Sequence, residues 1–195
     1  MSIDPTIPRC AWCGSQFEAY VRYHDEEWGV PVHDDRKHFE FLILEGAQAG
    51  LSWGTILKRR EGYRKAFAEF DPQGVARFGE EKYEALLQDD SIIRNRLKIK
   101  SAINNAKRFL EVQKEFGSFD IYIWSFTGGN PLINSWGKMS EIPARTELSD
   151  QVSKDLKKRG FNFVGSTIIY AHLQATGIVN DHEITCFRYK ELGGF

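Results

Sequence analysis

Cysteine and histidine residues are grouped near both ends of the sequence. Cys10 and Cys13 form a C-x-x-C motif, and His24 follows in "YHDEEWG". Near the other end, "NDHEITC" places His182 four residues before Cys186. Tetrahedral zinc takes four nitrogen or sulfur ligands, and residues at i and i+4 of one helical turn face the same way. The spacing predicts a zinc site that joins the two chain ends, with Cys13 and His24 as alternatives for the fourth ligand.

A simpler interpretation of the same residues needs no metal. Free cysteines are often small buried hydrophobic residues, and a buried histidine is often a polar residue with satisfied hydrogen bonds. One Cys-containing pair alone favours this interpretation. Two such clusters at opposite ends of the chain favour a metal site.

A second region places a single carboxylate in a stretch of small residues, with aromatic residues before and after it in the sequence. "LEGAQAGLSW" places Glu45 inside an apolar helical stretch, with glycines and alanines after it. Upstream, "AYVRYHDEEWG" supplies Tyr20, Tyr23 and Trp28, and Trp53 follows just beyond the helix. Aromatic faces attract cations, and a carboxylate accepts hydrogen bonds from amines. The pattern indicates a cavity for a flat, positively charged guest; the alternative is a buried Glu45 paired with Arg or Lys, with the aromatic residues as core.

A third region has two glycines between two predicted helices. In "KDLKKRGFNFVGSTIIYAHLQATG" a basic helix ends before Gly160, and a new apolar helix begins at Ser166, just after Gly165. Glycines allow close backbone approach, and free N–H groups at a helix start bind phosphate. The region is typical of a phosphate-contacting hairpin, or else of a plain helical hairpin with a solvated basic face.

The elements that position these residues are predicted to be helices. Apolar residues recur at helical spacing in the stretch that contains Glu45, and again through Leu97, Ala102, Ala106 and Leu110. No segment alternates as a half-buried strand would, so the sequence predicts an all-α fold.

Helix starts and one irregular stretch complete this outline. Asp71 before Pro72 and Ser149 in "SDQVSKDLKKR" are predicted helix starts. The segment from Ser125 to Thr146 is rich in Gly, Pro, Asn and Ser, and it either separates two lobes or packs over one.

Composition narrows the possible classes of protein. The chain has 195 residues, 42% of them hydrophobic, and a formal net charge of −1. A chain of this length buries a core without disulfides. Three cysteines and no secretory segment favour a reduced, cytoplasmic protein, and no apolar run is long enough to span a membrane. A net charge close to zero suggests modest, salt-sensitive binding to DNA through the basic segments "RNRLKIK" and "KKRG".

Several motifs together closely resemble the bacterial 3-methyladenine DNA glycosylase I family. They are "YHDEEWGVP", "LEGAQAGLSW", "FDP", "IIRNR", "KKRGFNFVG" and "NDH" three residues before a cysteine. The resemblance extends from Arg9 to about Cys186. It implies a single domain over residues 1–195 with the two-lobed, all-α fold of helix-hairpin-helix DNA glycosylases.

The resemblance also implies roles for particular residues. A structural Zn²⁺ would be held by Cys10, His24, His182 and Cys186, with Cys13 as a rival ligand. Glu45 would be the catalytic, base-recognising carboxylate. The substrate-binding residues would be Tyr23 and Trp53, with Tyr20, Trp28 and Trp12 as less secure members. The DNA-binding residues would be Gly50, Leu51, Gly160, Gly165 and Ser166, of which Leu51 would fill the gap left by a flipped nucleotide.

The family relationship further implies the reaction and the partner. The protein would excise 3-methyladenine from alkylated double-stranded DNA and leave an abasic site, as a monomer without an obligate protein partner. Asn180 would align with the aspartate that many superfamily members use, and Asp181 is offset by one, so no general base is assigned. Strand-cleaving members carry a lysine where this chain has Ser166 and Thr167.

Two other classes of protein fit the same residues. One is a non-catalytic, zinc-stabilised helical module that recognises damaged or bent DNA. The other is a glycosylase that takes different alkylated purines, because Ala47 and Gly54 depart from the residues typical of the family.

Overall fold

Helices make up most of the molecule. The computed structural model describes residue 4 and residues 6–13 and 17–194. In this part of the chain the α-helices are α1 (Glu18–Glu26), α2 (Asp35–Gln48), α3 (Trp53–Leu57), α4 (Arg60–Ala66), α5 (Pro72–Ala76), α6 (Glu80–Gln88), α7 (Arg96–Phe116), α8 (Phe119–Ser125), α9 (Glu147–Lys158), α10 (Ser166–Ala175) and α11 (Phe187–Glu191). Short 3₁₀ turns are assigned at Ala68–Phe70 and Met139–Glu141.

Capping side chains determine where several helices begin. Asp71 accepts hydrogen bonds from the backbone of Gln73 and Gly74, so α5 starts at Pro72 as predicted. The predicted start at Ser149 is wrong. Thr146 caps α9 by accepting from the Ser149 backbone N–H, and the Ser149 hydroxyl accepts from the Thr146 N–H. Ser149 therefore lies inside the first turn, where a reciprocal capping pair places it.

The long helix α7 has a buried stripe that differs in part from the predicted one. Its buried apolar residues include Ile99, Ala102, Ala106 and Phe109. Leu97 is 67% exposed, so its assignment to the apolar face was wrong. It lies two residues before Ile99, which turns it roughly 200° around the helix and away from the core.

A small parallel strand pair is an exception to the all-α prediction. β1 (Leu132–Ile133) pairs with β2 (Val179–Asn180), and Trp136 forms a further parallel bridge with Glu183. These strands are too short to give the period-two pattern by which strands are recognised. The irregular segment between α8 and α9 is thus attached to the body of the protein at residues 132–136.

The apolar core is one connected cluster that includes residues from Cys10 to Cys186. Helix α2 lies at its centre, because α2 contacts α3, α7, α8 and α10. Residues His38 to Ala47 of α2 are all buried. Among the described residues, no helix combines the length and apolar character that crossing a membrane requires.

Candidate functional site

A cavity of about 360 Å³ contains the predicted carboxylate and all the predicted aromatic residues. It is lined by Trp12, Tyr20, Tyr23, Trp28, Glu45, Gln48, Trp53, Met139, Ile142, Pro143, Ala144, Thr167, Tyr170, Ala171 and Gln174. This volume is within the range of small-molecule sites. The structure therefore brings together the residues of α1, α2 and α3 that the sequence analysis had grouped.

Glu45 is buried but has no ion-pair or hydrogen-bond partner among the described residues. This excludes the alternative of a carboxylate neutralised by Arg or Lys within the described chain. Burial raises the pKa of Glu45 from its ordinary 4.5 to about 8. Water is removed from the carboxylate and no protein cation replaces it. A cationic guest with hydrogen-bond donors would supply both missing interactions.

Aromatic rings line the cavity on two sides. The Tyr23 and Trp53 ring centroids are 5.1 Å apart, and those of Trp12 and Trp28 are 5.0 Å apart. The indole Nε1 of Trp53 is buried and has no acceptor among the described residues. Burial, and then the charge of Glu45, raises the pKa of Tyr23 well above its ordinary value, so its phenol stays neutral. The walls therefore offer π faces and the neutral phenol of Tyr23 beside one acid.

The sequence analysis missed the part of the cavity that α10 and the irregular segment form. Thr167, Tyr170, Ala171 and Gln174 lie at i, i+3, i+4 and i+7 of α10, which is one helix face. That spacing was visible in the sequence. The contribution of residues 139–144 was not, because an irregular segment has no periodicity from which its buried side can be read.

The turn after α2 places an apolar side chain at the surface. Gly50 has φ +77°, and Leu51 after it is 41% exposed. The ammonium of Lys98 donates to the backbone oxygens of Ala47 and Ala49, at 2.8 and 2.6 Å. These bonds fix the end of α2 next to the turn. Leu51 is thus an exposed leucine on a short connection that Lys98 anchors.

Helix α9 ends just before Gly160 and α10 begins at Ser166, as predicted. Gly160 ends α9 with φ +86°, and Gly165 precedes the first turn of α10. An open groove of about 670 Å³ runs beside this turn and is lined by Arg145, Asp150, Ser153, Lys154, Lys157, Gly165, Ser166, Thr167 and Ile168. The Ser166 hydroxyl is 2.7 Å from that of Ser149. The first turn of α10 and several basic side chains therefore line the same groove.

Four buried side chains from the two ends of the chain meet in one cluster. Cys10, His24, His182 and Cys186 each direct a ligand atom to a common point, and these atoms lie within 4.8 Å of one another. The Cys186 Sγ is 3.4 Å from His24 Nε2 and 3.5 Å from His182 Nδ1. Two sulfurs and two imidazole nitrogens form a donor set that fits a metal ion.

Neighbouring groups orient both imidazoles toward the cluster. His24 Nδ1 is 2.8 Å from the Asp25 carboxylate, and His182 Nε2 is 3.0 Å from the backbone oxygen of Trp28. Such contacts fix the tautomer of a metal-binding histidine. Cys13 is buried but is outside the cluster, so the structure favours His24 over Cys13 as the fourth ligand.

The local geometry of two ligands differs from the prediction. His182 and Cys186 do not lie on one helical turn, because α11 begins only at Phe187. A turn at residues 184–185 reverses the chain between them. Their side chains face the same way because of this turn.

The cluster adjoins the aromatic wall of the cavity. The Trp28 ring centroid is 4.5 Å from that of His182, and the Trp12 centroid is 5.1 Å from that of His24. A metal that orders the two imidazoles would therefore also order two walls of the cavity.

Asn180 and Asp181 are both buried and neither lines the cavity. Asn180 Nδ2 donates to the Leu192 backbone oxygen at 3.2 Å, and its Oδ1 accepts from the His182 N–H. Asp181 accepts four hydrogen bonds from protein groups. Both side chains therefore form hydrogen bonds within the protein, and neither lines the cavity in which a guest would bind.

The two positions that depart from the family's usual residues also lie outside the cavity lining. Ala47 is buried. The space beside Gly54 is occupied by the rings of Phe17 and Tyr20, 3.4 Å from where a Cβ would stand.

A family model and a known bacterial protein both match most of this chain. The model of the methyladenine glycosylase family matches residues 12–189. DNA-3-methyladenine glycosylase 1 of Escherichia coli strain K12 is 50% identical over 183 residues, which are 94% of this chain and 97% of that protein.

Solved structures agree with this match. A crystal structure of 3-methyladenine DNA glycosylase I superposes with a TM-score of 0.89 at 50% identity, over 92% of this chain and 98% of the other. The 3-methyladenine DNA glycosylase I of Staphylococcus aureus, whose structure concerns 3-methyladenine recognition, has a TM-score of 0.88 at 35% identity and covers 92% and 95%.

Proposed function

The chain belongs to the methyladenine glycosylase family, and we propose that it is a DNA repair enzyme that excises 3-methyladenine from alkylated double-stranded DNA. The observation that carries this proposal is the open aromatic cavity with the unpaired, buried carboxylate of Glu45. Methylation at N3 gives adenine a positive charge on a flat ring that also bears an amine. This base offers the charge and the donors that the cavity lacks.

Recognition of the base depends on Glu45 and the aromatic walls. The Glu45 carboxylate accepts from the exocyclic amine and compensates the positive charge, while Tyr23 and Trp53 contact the ring. A neutral, unmethylated adenine gains less from this environment, because it brings no charge to offset the cost of ionising a buried acid. The cavity thereby selects the damaged base.

The reaction is hydrolysis of the N-glycosidic bond. The bond to a cationic base is already weak, and the electrons of that bond neutralise the base as it leaves. The protein therefore has to extrude the nucleotide, hold the base and stabilise the redistribution of charge. Water adds to the sugar carbon, which leaves an abasic site. No lysine stands at Ser166 or Thr167 to form a Schiff base, so the DNA strand stays intact.

DNA is held by the hairpin and the turn after α2. The backbone N–H groups around Gly165 contact phosphate beside the lesion, supported by Lys154 and Lys157. Leu51 fills the space that the flipped nucleotide leaves in the duplex. Insertion of an apolar side chain costs a few kcal/mol of base stacking, which wider contacts in the bent complex offset.

The cluster of Cys10, His24, His182 and Cys186 holds a structural Zn²⁺ in this proposal. Four protein ligands leave no position for a water molecule, so the ion supplies stability and takes no part in hydrolysis. We further propose a monomer of one domain with two lobes and a cleft between them, active in the reducing cytoplasm, where its thiols stay free.

The test is to measure bases released from DNA treated with a methylating agent. Purified protein is incubated with this DNA, and 3-methyladenine and 7-methylguanine are measured separately by chromatography. We expect release of 3-methyladenine and intact strands with abasic sites. If the protein releases neither base, the assignment as an enzyme is wrong, and a DNA-binding module remains. Equal release of both bases would indicate a glycosylase of wider scope.

Glu45→Gln separates the enzyme from the non-catalytic module. We expect this variant to lose about 100-fold in excision rate, because the amide cannot carry the charge that the cationic base requires. Glu40→Gln is the matched control. Glu40 is a buried carboxylate of the same helix, but it pairs with Arg60 and lies outside the cavity.

A further inference from the structure

Asp181 is a buried carboxylate that accepts four hydrogen bonds from neutral donors. Its Oδ1 accepts from Asn134 Nδ2 and Trp136 Nε1, both at 2.7 Å. Its Oδ2 accepts from Gln174 Nε2 at 2.7 Å and from the Tyr170 hydroxyl. No Lys or Arg in the described parts of the chain forms an ion pair with it. Tyr170 and Gln174 line the cavity, whereas Asn134 and Trp136 do not.

We infer that Asp181 is a positioning residue that determines which hydrogen-bonding atoms the cavity wall presents to the base, and that it thereby sets the preference for an adenine-type over a guanine-type lesion. The inference rests on the proposed function. It adds a residue that touches no substrate but acts through Gln174 and Tyr170.

The orientation of both cavity side chains follows from the chemistry of Asp181. A carboxylate only accepts, so Gln174 must turn its NH₂ toward Asp181 and its Oε1 away. No group in the described residues donates to this Oε1. Tyr170 has a single hydroxyl proton and gives it to Asp181, so its oxygen can only accept from a bound molecule. Asp181 therefore makes both groups acceptors toward the cavity.

The resulting set of atoms in the cavity is selective. Glu45, Gln174 and Tyr170 present acceptors, and they match the exocyclic amine and positive charge of 3-methyladenine. A guanine-type base carries a carbonyl oxygen where adenine carries that amine. This oxygen would face the acceptor atoms of Gln174 and Tyr170 without a proton between them, and unpaired polar contacts of this kind are strongly unfavourable in a buried site.

Asp181→Asn should reverse the polarity of the wall. The indole N–H of Trp136 cannot become an acceptor, so it holds the new amide oxygen at the position of Oδ1. The new NH₂ then replaces Oδ2 and faces Gln174 and Tyr170. Gln174 can turn its amide, and Tyr170 can turn its hydroxyl, so that both accept from the new NH₂. Both would then offer donors to the cavity.

The experiment compares excision of 3-methyladenine and 7-methylguanine from the same methylated DNA by wild-type protein and variants. We expect Asp181→Asn to lower the ratio of kcat/KM for 3-methyladenine to kcat/KM for 7-methylguanine by about tenfold. In a Gln174→Leu background the same substitution should change the ratio by less than about threefold, since only Tyr170 remains of the two side chains through which Asp181 acts. A purely structural role would give the same fold-change in both backgrounds.

Trp136→Phe is the matched control. It removes one hydrogen bond to the same carboxylate but alters nothing in the cavity lining, so it should lower thermal stability and leave the ratio unchanged. Metal content and thermal unfolding are measured for every variant, because Asp181 precedes His182.

The outcomes separate this inference from the proposed function. A wild-type protein that releases neither base overturns the proposed function and, with it, this inference. If wild type strongly prefers 3-methyladenine and both Asp181→Asn and Gln174→Leu keep that preference, only the inference is overturned. Should Asp181→Asn not fold, Gln174→Leu still decides: an unchanged ratio contradicts the inference, and a lowered ratio with Trp136→Phe unaffected supports it.

Discussion

Glu45 combines deep burial with the absence of a charged partner among the described residues. Only 4% of the surface of Glu45 is exposed. Ionising such a group is costly in the free protein, and the cost is recovered when a cation enters the cavity. The same residue that recognises the substrate therefore lowers the stability of the empty protein.

This conflict between substrate recognition and stability predicts how Glu45→Gln changes the free energy of unfolding. The pKa of Glu45 is about 8 in the folded protein and near its ordinary 4.5 in the unfolded chain. As pH rises from 4.5 to 8, the unfolded chain loses this proton while the folded protein retains it, so the group progressively destabilises the fold. Glu45→Gln should raise the free energy of unfolding at pH 9 by on the order of 3 kcal/mol relative to wild type.

Urea unfolding at pH 5 and pH 9 measures this difference. Near pH 5 Glu45 is largely protonated in the fold, so the variant and wild type should be closely similar. A variant that is no more stable than wild type at pH 9 would mean that the folded protein offers the carboxylate a cation or water that the structure does not indicate.

At the residue scale the sequence was informative about the cavity. Glu45 and the aromatic residues could be grouped because small residues beside a carboxylate leave space. The role of Asp181 could not be predicted. Its four donors come from positions 134, 136, 170 and 174, and only folding of the irregular segment against α10 brings them together.

Two short connections carry the predicted contacts to DNA. One is the α9–α10 hairpin with Gly160 and Gly165, and the other is the turn with Gly50 and Leu51 after α2. Positive φ angles at Gly50 and Gly160 explain why glycine is needed at these points. Such turns are readable from sequence, because glycine and the ends of helical periodicity mark them.

Leu51→Ala tests the turn. We expect the variant to excise 3-methyladenine from duplex DNA about tenfold more slowly, because the space left by the flipped nucleotide is no longer filled. The affinity for free 3-methyladenine, measured by quenching of tryptophan fluorescence, should be unchanged because Leu51 does not line the cavity.

Ile121→Ala is the control for this substitution. Ile121 is also an exposed apolar residue, but it lies on α8, and it lines neither the substrate cavity nor the basic groove. Equal losses in both variants, or weaker binding of the free base to Leu51→Ala, would contradict the role given to Leu51.

The irregular segment shows where prediction from sequence fails at the scale of elements. It forms one wall of the cavity through Met139, Ile142 and neighbouring residues, and it pairs with β2 through two residues only. Its position depends on backbone pairings such as Leu132 with Val179 and Trp136 with Glu183, which connect residues distant in sequence. Local propensity carries no information about such contacts.

At the scale of the whole molecule, the Cys and His cluster joins segments separated by more than 150 residues. The two cysteine clusters near the ends of the chain allowed this link to be predicted. The choice between Cys13 and His24 could not be made from spacing, since C-x-x-C is itself a common metal-binding pattern. The orientation of His24 by Asp25 favours His24 in the structure.

Removal of the metal should destabilise the protein and disturb the cavity together. We expect Cys186→Ser to lose bound zinc and to unfold at a temperature lower by about 10 °C, because metal binding contributes directly to folding. Emission from Trp12 and Trp28 should change as well, since both rings pack against the ligating histidines.

Cys13→Ala serves as the comparison, because Cys13 is buried but outside the cluster. Elemental analysis of the purified proteins should find about one zinc per chain in wild type and in this variant. Zinc lost from Cys13→Ala and kept in Cys186→Ser would reverse the ligand assignment.

The same link between distant segments has a consequence for synthesis on the ribosome. His182 and Cys186 are translated long after Cys10 and His24, so an emerging chain holds only half of the donor set until both have been made. Trp28 then lacks His182, against which its ring packs. A polypeptide that ends before His182 would therefore contain the residues of α1 to α10 but lack two of the four donors that order the wall of the pocket.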